Sequence, residues 1–268
     1  MRAFASCFVT VVAVLLVGCG DDGGGDVTGP SSTVTAVSVV LGASEILVGE
    51  TTTATATATL STGATQSVTT GWRSDQPGAA TVSDSGTVTG VGNGRATIYV
   101  VTGGRQGQQV IRVYPVYRGT WTGLSTVTGC TASGAWVGFC ESEFSDLGDS
   151  FDTRLAASQI LGTVTGTGTS AGVTFPGFTA PIDADGAIQF TGATDVGGIR
   201  DEATWHLRPA GTASLTGSLI EVFTAPGLSG AVTYTSSIAA LTRTTAVLAP
   251  AARDRERVSA ALRRFGPR

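Results

Sequence analysis

The feature that constrains the fold of this chain most strongly is a stretch at residues 53–60. In it, threonine and apolar residues alternate strictly. Side chains point to opposite faces along an extended chain, so the apolar residues would share one face and the threonines the other. An α-helix repeats its faces every 3.6 residues or so and cannot separate the two kinds of residue in this way. The stretch ends at Ser61-Thr62-Gly63, a combination typical of turns. The pattern predicts a half-buried β-strand that ends in a tight turn.

The rest of the chain favours the same kind of structure. Short runs rich in Val, Thr and Ile are bounded by Gly, Asp or Ser, as at residues 80–82, 87–89 and 96–101. β-Branched residues suit a pleated surface, and the 38 glycines supply the positive φ that tight turns need. Apolar residues make up 41% of the 268, which is enough for a packed core. We therefore expect an all-β protein with a β-sandwich at residues 33–114 and an antiparallel unit at residues 115–245.

Six short motifs carry a family resemblance in the first unit. In chain order they are Val48-Gly49-Glu50, Thr53 to Leu60, Trp72-Arg73-Ser74, Ala80-Thr81-Val82, Gly86-Thr87-Val88 and Gly94-Arg95-Ala96-Thr97-Ile98. At these residues the segment resembles the bacterial Ig-like domain, group 2. The resemblance implies an Ig-like β-sandwich with Trp72 in its core, used as a spacer or in adhesion and without catalysis. It implies no fixed set of binding residues.

Eight strand candidates follow one another in the second unit, with Gly, Asp or Pro in the connections. They lie at residues 117–123, 152–158, 161–166, 172–182, 187–194, 202–207, 213–223 and 231–241. Antiparallel strands in sequence order form a meander, which can close into a barrel and so remove its exposed edges. The expected fold is an antiparallel meander β-barrel, and a second sandwich is the alternative.

The first of these strands contains Gly119-Thr120-Trp121-Thr122-Gly123. This motif resembles the first strand of the lipocalin and avidin group of barrels. The resemblance implies that Trp121 plugs one end of the barrel, that Arg243 from the last strand packs across it, and that the barrel encloses one small apolar ligand. The alternative is a filled barrel or second sandwich without a cavity, which the scarcity of large apolar side chains in this unit favours.

Cys130 and Cys140 are the two cysteines outside the N-terminal region. An even number of cysteines in an exported unit predicts a disulfide between them. The spacing is wrong for a metal site, and the chain has a single histidine. We expect no metal and no cofactor.

Residues 168–172 fit the Gly-x-Ser-x-Gly pattern of serine hydrolases, and Asp183 or Asp185 and then His206 follow Ser170 in a suitable order. The flanking residues, however, have the pattern of strands, and no helix is predicted after the serine. We interpret the segment as a hairpin turn and expect that the chain is not an enzyme.

An acidic run follows Cys140. It consists of Glu141, Glu143, Asp146, Asp149 and Asp152. Such a run either binds Ca²⁺ loosely or forms a solvated loop beside the disulfide, and the second interpretation is favoured.

The N-terminal 18 residues have the features of an exported protein's signal peptide. Arg2 precedes an apolar run at residues 8–17, which is too short to span a bilayer. The run ends at Leu16-Val17-Gly18-Cys19, which resembles the lipobox of bacterial lipoproteins. This resemblance implies cleavage before Cys19 and lipid attached to that residue. Residues 19–32 are polar and Gly-rich, as expected of a flexible tether.

Charge divides the remaining chain into an acidic body and a basic tail. Between Arg2 and residue 251, nine Arg stand against 18 acidic residues, so a nucleic-acid partner is not expected. The predicted tail, residues 246–268, contains six Arg and a helical stripe of Val258, Leu262 and Phe265. It would contact anionic lipid or the acidic body, or fray as a chain terminus.

Two hypotheses for function follow. The first is a cell-envelope lipoprotein, on the outer membrane or cell surface, that displays a non-catalytic interaction or adhesion module on an Ig-like spacer. Its partners would be the membrane, through the lipid, and a protein or glycan. The second is a lipocalin-like carrier of a small apolar ligand inside the C-terminal barrel.

Overall fold

The computed structural model describes residues 32–142 and 146–244, and these residues form β-strands, turns and one short 3₁₀ helix at Gly134–Trp136. The predicted all-β fold is confirmed. The predicted signal peptide, Cys19, nearly all of the predicted tether and the basic tail lie outside the described residues. Within the described part, no helix is long and apolar enough to cross a membrane.

The first unit is a β-sandwich of nine strands. They are β1 (Val34–Leu41), β2 (Glu45–Leu47), β3 (Thr51–Leu60), β4 (Thr65–Val68), β5 (Trp72–Ser74), β6 (Ala80–Val82), β7 (Thr87–Gly90), β8 (Gly94–Thr102) and β9 (Arg105–Tyr114). One sheet has the order β1-β3-β7-β6 with β4 paired to β3, and the other has the order β2-β9-β8-β5. All pairs are antiparallel except β2 with β9, which is parallel.

The core of the sandwich lies where the sequence pattern predicts it. The alanines of the alternating stretch, Ala54, Ala56 and Ala58, are buried, and the threonines between them are exposed. Trp72 on β5 packs against them with the valine and isoleucine side chains of β8 and β9. Gly86 fits beside β3 because a Cβ atom there would overlap the carbonyl oxygen of Ala54, and its φ of +81° also favours glycine.

The second unit contains the remaining nine strands. They are β10 (Gly119–Ala132), β11 (Ser150–Ile160), β12 (Thr163–Ser170), β13 (Val173–Thr174), β14 (Phe178–Pro181), β15 (Ile188–Val196), β16 (Ile199–Pro209), β17 (Ser214–Thr224) and β18 (Val232–Thr244). The sheet order is β13-β12-β11-β10-β18-β17-β16-β15, with β14 also paired to β12. Pairing of β10 with β18 joins the first strand to the last, so the sheet is a nearly closed antiparallel barrel.

The barrel seam lies between β14 and β15, which no backbone ladder joins within the described residues. An aromatic stack bridges it instead. The ring of Phe178 on β14 stacks on Phe190 of β15 with centroids 3.6 Å apart, and Phe190 stacks on Trp205 of β16 at 5.6 Å. Such contacts add to the hydrophobic stabilisation of a seam that lacks hydrogen bonds.

The prediction of one continuous strand at residues 172–182 was wrong. The structure has two short strands there, β13 and β14, separated by Phe175, Pro176 and Gly177. Proline has no N–H to donate and interrupts a ladder, and the chain turns inward at Phe175, which is buried.

Irregular register at three places bends the long strands. The pairing shifts between Gly123 and Ser125, between Val127 and Gly129, and between Leu215 and Gly217. At Gly123 and Gly217 an added Cβ would overlap a carbonyl oxygen of the neighbouring strand. These glycines let adjacent backbones approach closely where the sheet curves to close.

Candidate functional site

Trp121 and Arg243 lie at the end of the barrel that faces the sandwich. They are directly opposite each other on β10 and β18, and the Arg243 guanidinium lies 4.6 Å from the centroid of the Trp121 ring. The indole of Trp121 is buried and donates a hydrogen bond of 2.7 Å to the carbonyl oxygen of Tyr117. The structure therefore brings together the two residues that the barrel resemblance singled out.

Tyr117 completes this end of the barrel, although no sequence motif singles it out. Its ring is fully buried, and its hydroxyl donates to the carbonyl oxygens of Gly186 (2.8 Å) and Leu207 (3.1 Å). Burial, together with the negative charge of Asp183, raises the pKa of Tyr117 above its usual value of 10.0. Through one hydroxyl, Tyr117 thus joins the segment before β10 to the connection between β14 and β15 and to β16.

Side chains occupy the interior of the barrel next to this end. The buried cluster contains Tyr117, Trp121, Leu155, Val164, Phe175, Phe178, Ile182, Ile188, Phe190, Trp205, Leu207, Leu215, Leu219, Ile238 and Leu241. Packing of this kind fits the filled-barrel alternative and gives the carrier hypothesis no support.

A second group of buried residues, which we name the polar belt, lies farther along the barrel. It consists of Ser125, Thr153, Ser170, Asp201, Glu221 and Ser236. Thr153 donates a hydrogen bond of 2.8 Å to the Ser125 hydroxyl. A second apolar cluster lies beyond the polar belt, because its residues face inward farther along the same strands. The belt therefore separates this cluster from the one around Trp205.

The positions of Ser170 and His206 do not form a hydrolase site. Ser170 is buried inside the barrel at the end of β12, where Ala171 and Gly172 form the turn that the sequence predicts. His206 is exposed on the outer face of β16, between the inward-facing Trp205 and Leu207. The barrel wall separates the two side chains.

The far end of the barrel is closed by a structure that we name the cap, residues 133–142. Trp136 and Phe139 in the cap are fully buried and pack with Phe223 and Tyr234. Phe139 and Phe223 make edge contacts with the Tyr234 ring at 6.5 and 5.8 Å. The cap is tied to β10 by the predicted disulfide between Cys130 and Cys140, which the structure contains.

The sequence interpretation missed the cap. The signal available was an apolar run, Ala135-Trp136-Val137, between two cysteines that were expected to be bonded. A large aromatic residue inside a short disulfide loop has no room to pack within the loop itself, so it must pack against the body.

The outer surface around the cap combines apolar and acidic groups. Val137 and Leu147 are 73% and 59% exposed, and Glu141 and Asp149 are exposed near them in the chain. Asp146 is half-buried and hydrogen-bonded to the Tyr234 hydroxyl. The pKa of Tyr234 is raised mainly by burial of its ring and, to a lesser extent, by the Asp146 carboxylate. Glu143 lies outside the described residues. No group of His, Cys, Asp and Glu side chains within the described part could hold a metal ion.

The sandwich is joined to the opposite end of the barrel by polar contacts. The guanidinium of Arg112, on β9, donates to the carbonyl oxygens of Asp183 (3.1 Å) and Ala184 (3.4 Å) in the barrel. The side chain of Asn93 donates to the same Ala184 oxygen at 3.2 Å. Arg112 is 9% exposed and also lies over the Tyr114 ring, so the contact is largely shielded from water.

A groove of about 540 Å³ lies beside this junction. Val48, Val91 and Asn93 line it from the sandwich, and Leu215 and Arg243 line it from the barrel. The groove is outside the barrel interior, and Trp121 and Leu215 of the buried cluster form part of its lining.

Comparison with protein families identifies the first unit. Residues 33–113 match the family model of the bacterial Ig-like domain (group 2), in agreement with the resemblance noted in the sequence. This match indicates a surface or adhesion-type module at these residues. No curated protein sequence matches the chain.

Solved structures of an S-layer protein are similar to the chain at low identity. Domains 5–6 of the S-layer protein SbsC are 17% identical over 76% of this chain and 97% of that chain, with a TM-score of 0.27. A longer crystal structure, rSbsC(31-844), is 10% identical over 81% of this chain and 41% of that chain, also with a TM-score of 0.27. We draw no conclusion from similarity at this level.

Proposed function

We propose that this chain is a non-catalytic surface protein of the bacterial cell envelope that meets its partner through the cap of the barrel. The Ig-like sandwich acts as the spacer. Lipid on Cys19, with residues 19–32 as a tether, holds the protein on the membrane. The lipobox-like residues 16–19 support this anchor, and the family match of residues 33–113 supports a surface module.

One observation carries the proposal: the cap and the sandwich are at opposite ends of the barrel. Trp121 lies on β10 at the sandwich end, and Ala132 ends the same strand at the cap. Eleven residue steps of roughly 3.3 Å each separate them by about 35 Å along the strand. The sandwich therefore occupies one end of the barrel, and the cap is left at the other end.

The chemistry of the cap surface favours a protein partner with basic and apolar groups. Val137 in the cap and Leu147 in the segment that follows the cap are two of the most exposed large apolar side chains in the described part. Exposed apolar side chains with charged neighbours are typical of protein contact sites. The neighbouring carboxylates of Glu141 and Asp149 would attract a basic surface and repel an acidic one.

Binding of the purified protein to isolated cell envelopes of its own bacterium tests this proposal. The full-length chain carries Cys19→Ala, so that lipid does not produce binding. We expect Val137→Asp with Leu147→Asp to remove most of the binding, because added charge disrupts an apolar contact.

The matched control is Val101→Asp with Val110→Asp, at sandwich positions that are 50% and 47% exposed. The control should bind as the wild type does. Equal binding by the cap variant, or loss only in the sandwich variant, would contradict the proposal.

A further inference from the structure

We propose that the groove beside the sandwich–barrel junction binds a monocarboxylate with an apolar body, in the class of medium-chain fatty acids. This site is separate from the cap, and the proposal does not depend on the function of the cap. The ligand would lie outside the barrel, with its chain along the groove floor and its carboxylate on Arg243.

The groove has the size and the lining of a ligand site. Its volume of about 540 Å³ lies within the range of small-molecule sites, which occur preferentially where domains meet. Half of its lining residues have apolar side chains, among them Val48, Val91, Val116 and Leu215. Apolar walls with a few polar groups favour a ligand that is largely hydrocarbon.

The charge of the groove lining indicates which end group the ligand carries. Arg243 is the one charged residue among those that line the groove. Its guanidinium has five N–H donors, and among the described residues one backbone acceptor contacts it, the Val116 carbonyl oxygen at 3.4 Å. The planar group is held over the Trp121 ring and therefore presents its remaining donors in a fixed orientation, which suits a carboxylate.

The acidic residue closest in sequence to the groove lining does not compete for this cation. Glu50 follows Gly49, which lines the groove, but its carboxylate accepts the backbone N–H of Leu47 at 3.1 Å. Its other oxygen lies 3.6 Å from the Arg118 guanidinium. Among described residues, Arg243 forms no ion pair, so its positive charge is available to an anionic ligand.

Calorimetric titration with decanoate tests the proposal on the full-length Cys19→Ala chain purified without detergent. We expect saturable binding at one site. Arg243→Gln should weaken decanoate binding by about tenfold to a hundredfold, the range expected for a hydrogen bond to a charged group. Decanol, which lacks the charge, should bind the wild type as weakly as decanoate binds the variant. Arg208→Gln, at an exposed Arg outside the groove, should change nothing.

A second pair of variants keeps the test decisive if Arg243→Gln destabilises the barrel. Val91 lines the groove and Val110 does not, and each is 47% exposed. Val91→Trp should fill the groove and abolish decanoate binding, whereas Val110→Trp should leave it unchanged. Absence of saturable binding to the folded wild type, or equal binding by Val91→Trp, would overturn the proposal.

Discussion

At the scale of single residues, the most consequential contact of this protein is made by one arginine between its two units. Arg112 belongs to the sandwich, yet its guanidinium satisfies carbonyl oxygens of residues 183 and 184 in the barrel. A buried carbonyl group that loses its donor costs free energy comparable to a lost hydrogen bond. Arg112 therefore couples the stability of the sandwich to the orientation of the barrel.

Replacing this arginine should destabilise the protein. We expect Arg112→Ala to lower the free energy of unfolding by about 1–3 kcal/mol, because the Asp183 carbonyl oxygen loses a charged donor in a partly buried site, whereas the Ala184 oxygen keeps the donor from Asn93. Arg95→Ala is the control, since Arg95 is the exposed cross-strand neighbour of Arg112. Urea unfolding measures both. Equal small effects of the two variants would show that Arg112 contributes no more than a surface residue.

Tyr117 should make the stability of the folded protein fall at alkaline pH. Its folded-state pKa is raised above 10.0, so in the folded protein it keeps its proton at pH values where the unfolded chain ionises. Its contribution is fully present below about pH 10 and is lost as the pH rises above that value. We expect Tyr117→Phe to be less stable at neutral pH by roughly 1–3 kcal/mol but to lose less stability above pH 10. Thermal unfolding across pH checks this, and parallel profiles would contradict it.

Among single residues, those with a strong local pattern could be predicted from the sequence. Trp72 and Trp121 lie in short motifs, and the structure buries both. The surroundings of Tyr117 could not be predicted, because they are assembled from strands that are distant in the chain. Tyr117, for example, bonds to the carbonyl oxygen of Leu207, 90 residues away. For Trp136 the sequence indicates burial against the body but not the strands that it contacts.

At the scale of elements, the alternating pattern predicts which face of a strand is buried, but it does not predict which strand lies beside it. The alternating residues of β3 are buried and exposed as predicted. The pairing of β10 with β18 and the gap between β14 and β15 have no local signal, because they depend on how the whole sheet curves. The ends of strands are also weakly encoded, as the division of residues 172–182 into β13 and β14 illustrates.

Glycines at the irregular positions of β10 provide a test of barrel curvature. We expect Gly123→Ala to destabilise the protein by about 1–3 kcal/mol, because its Cβ would overlap the Ala240 carbonyl oxygen of β18. At Gly129, on the same strand, an added Cβ would lie 3.7 Å from Thr235, an ordinary contact. Gly129→Ala should therefore have a much smaller effect in denaturant unfolding. Similar losses in both variants would indicate that close approach at Gly123 is not what curvature requires.

The disulfide determines the stability of the cap. Opening the ten-residue step between Cys130 and Cys140 should cost about 2–3 kcal/mol of folding free energy, from the conformational entropy returned to the unfolded chain. We expect Cys130→Ser with Cys140→Ser to raise the exposure of Trp136, measured by fluorescence quenching. An unchanged spectrum and midpoint of unfolding would show that packing alone holds the cap in place.

At the scale of the whole molecule, the protein is two β units with different kinds of interior. The sandwich has one apolar core, whereas the barrel has two apolar clusters with the polar belt between them. The barrel is filled by its own aromatic side chains and closed by the cap at one end and by Trp121 and Arg243 at the other. These features leave its outer surfaces, the cap and the groove, as the places where we propose that it meets other molecules.

Photo-crosslinking in living cells tests the central claim, that the cap meets the partner, most directly. A photoreactive amino acid replaces Val137 in the cap or, as the comparison, Val101 in the sandwich, which are 73% and 50% exposed. Each full-length variant is illuminated in the bacterium that produces it. We predict a discrete covalent adduct from position 137 and none from position 101. Adducts from position 101 alone, or equally from both positions, would contradict the assignment of the cap as the contact surface.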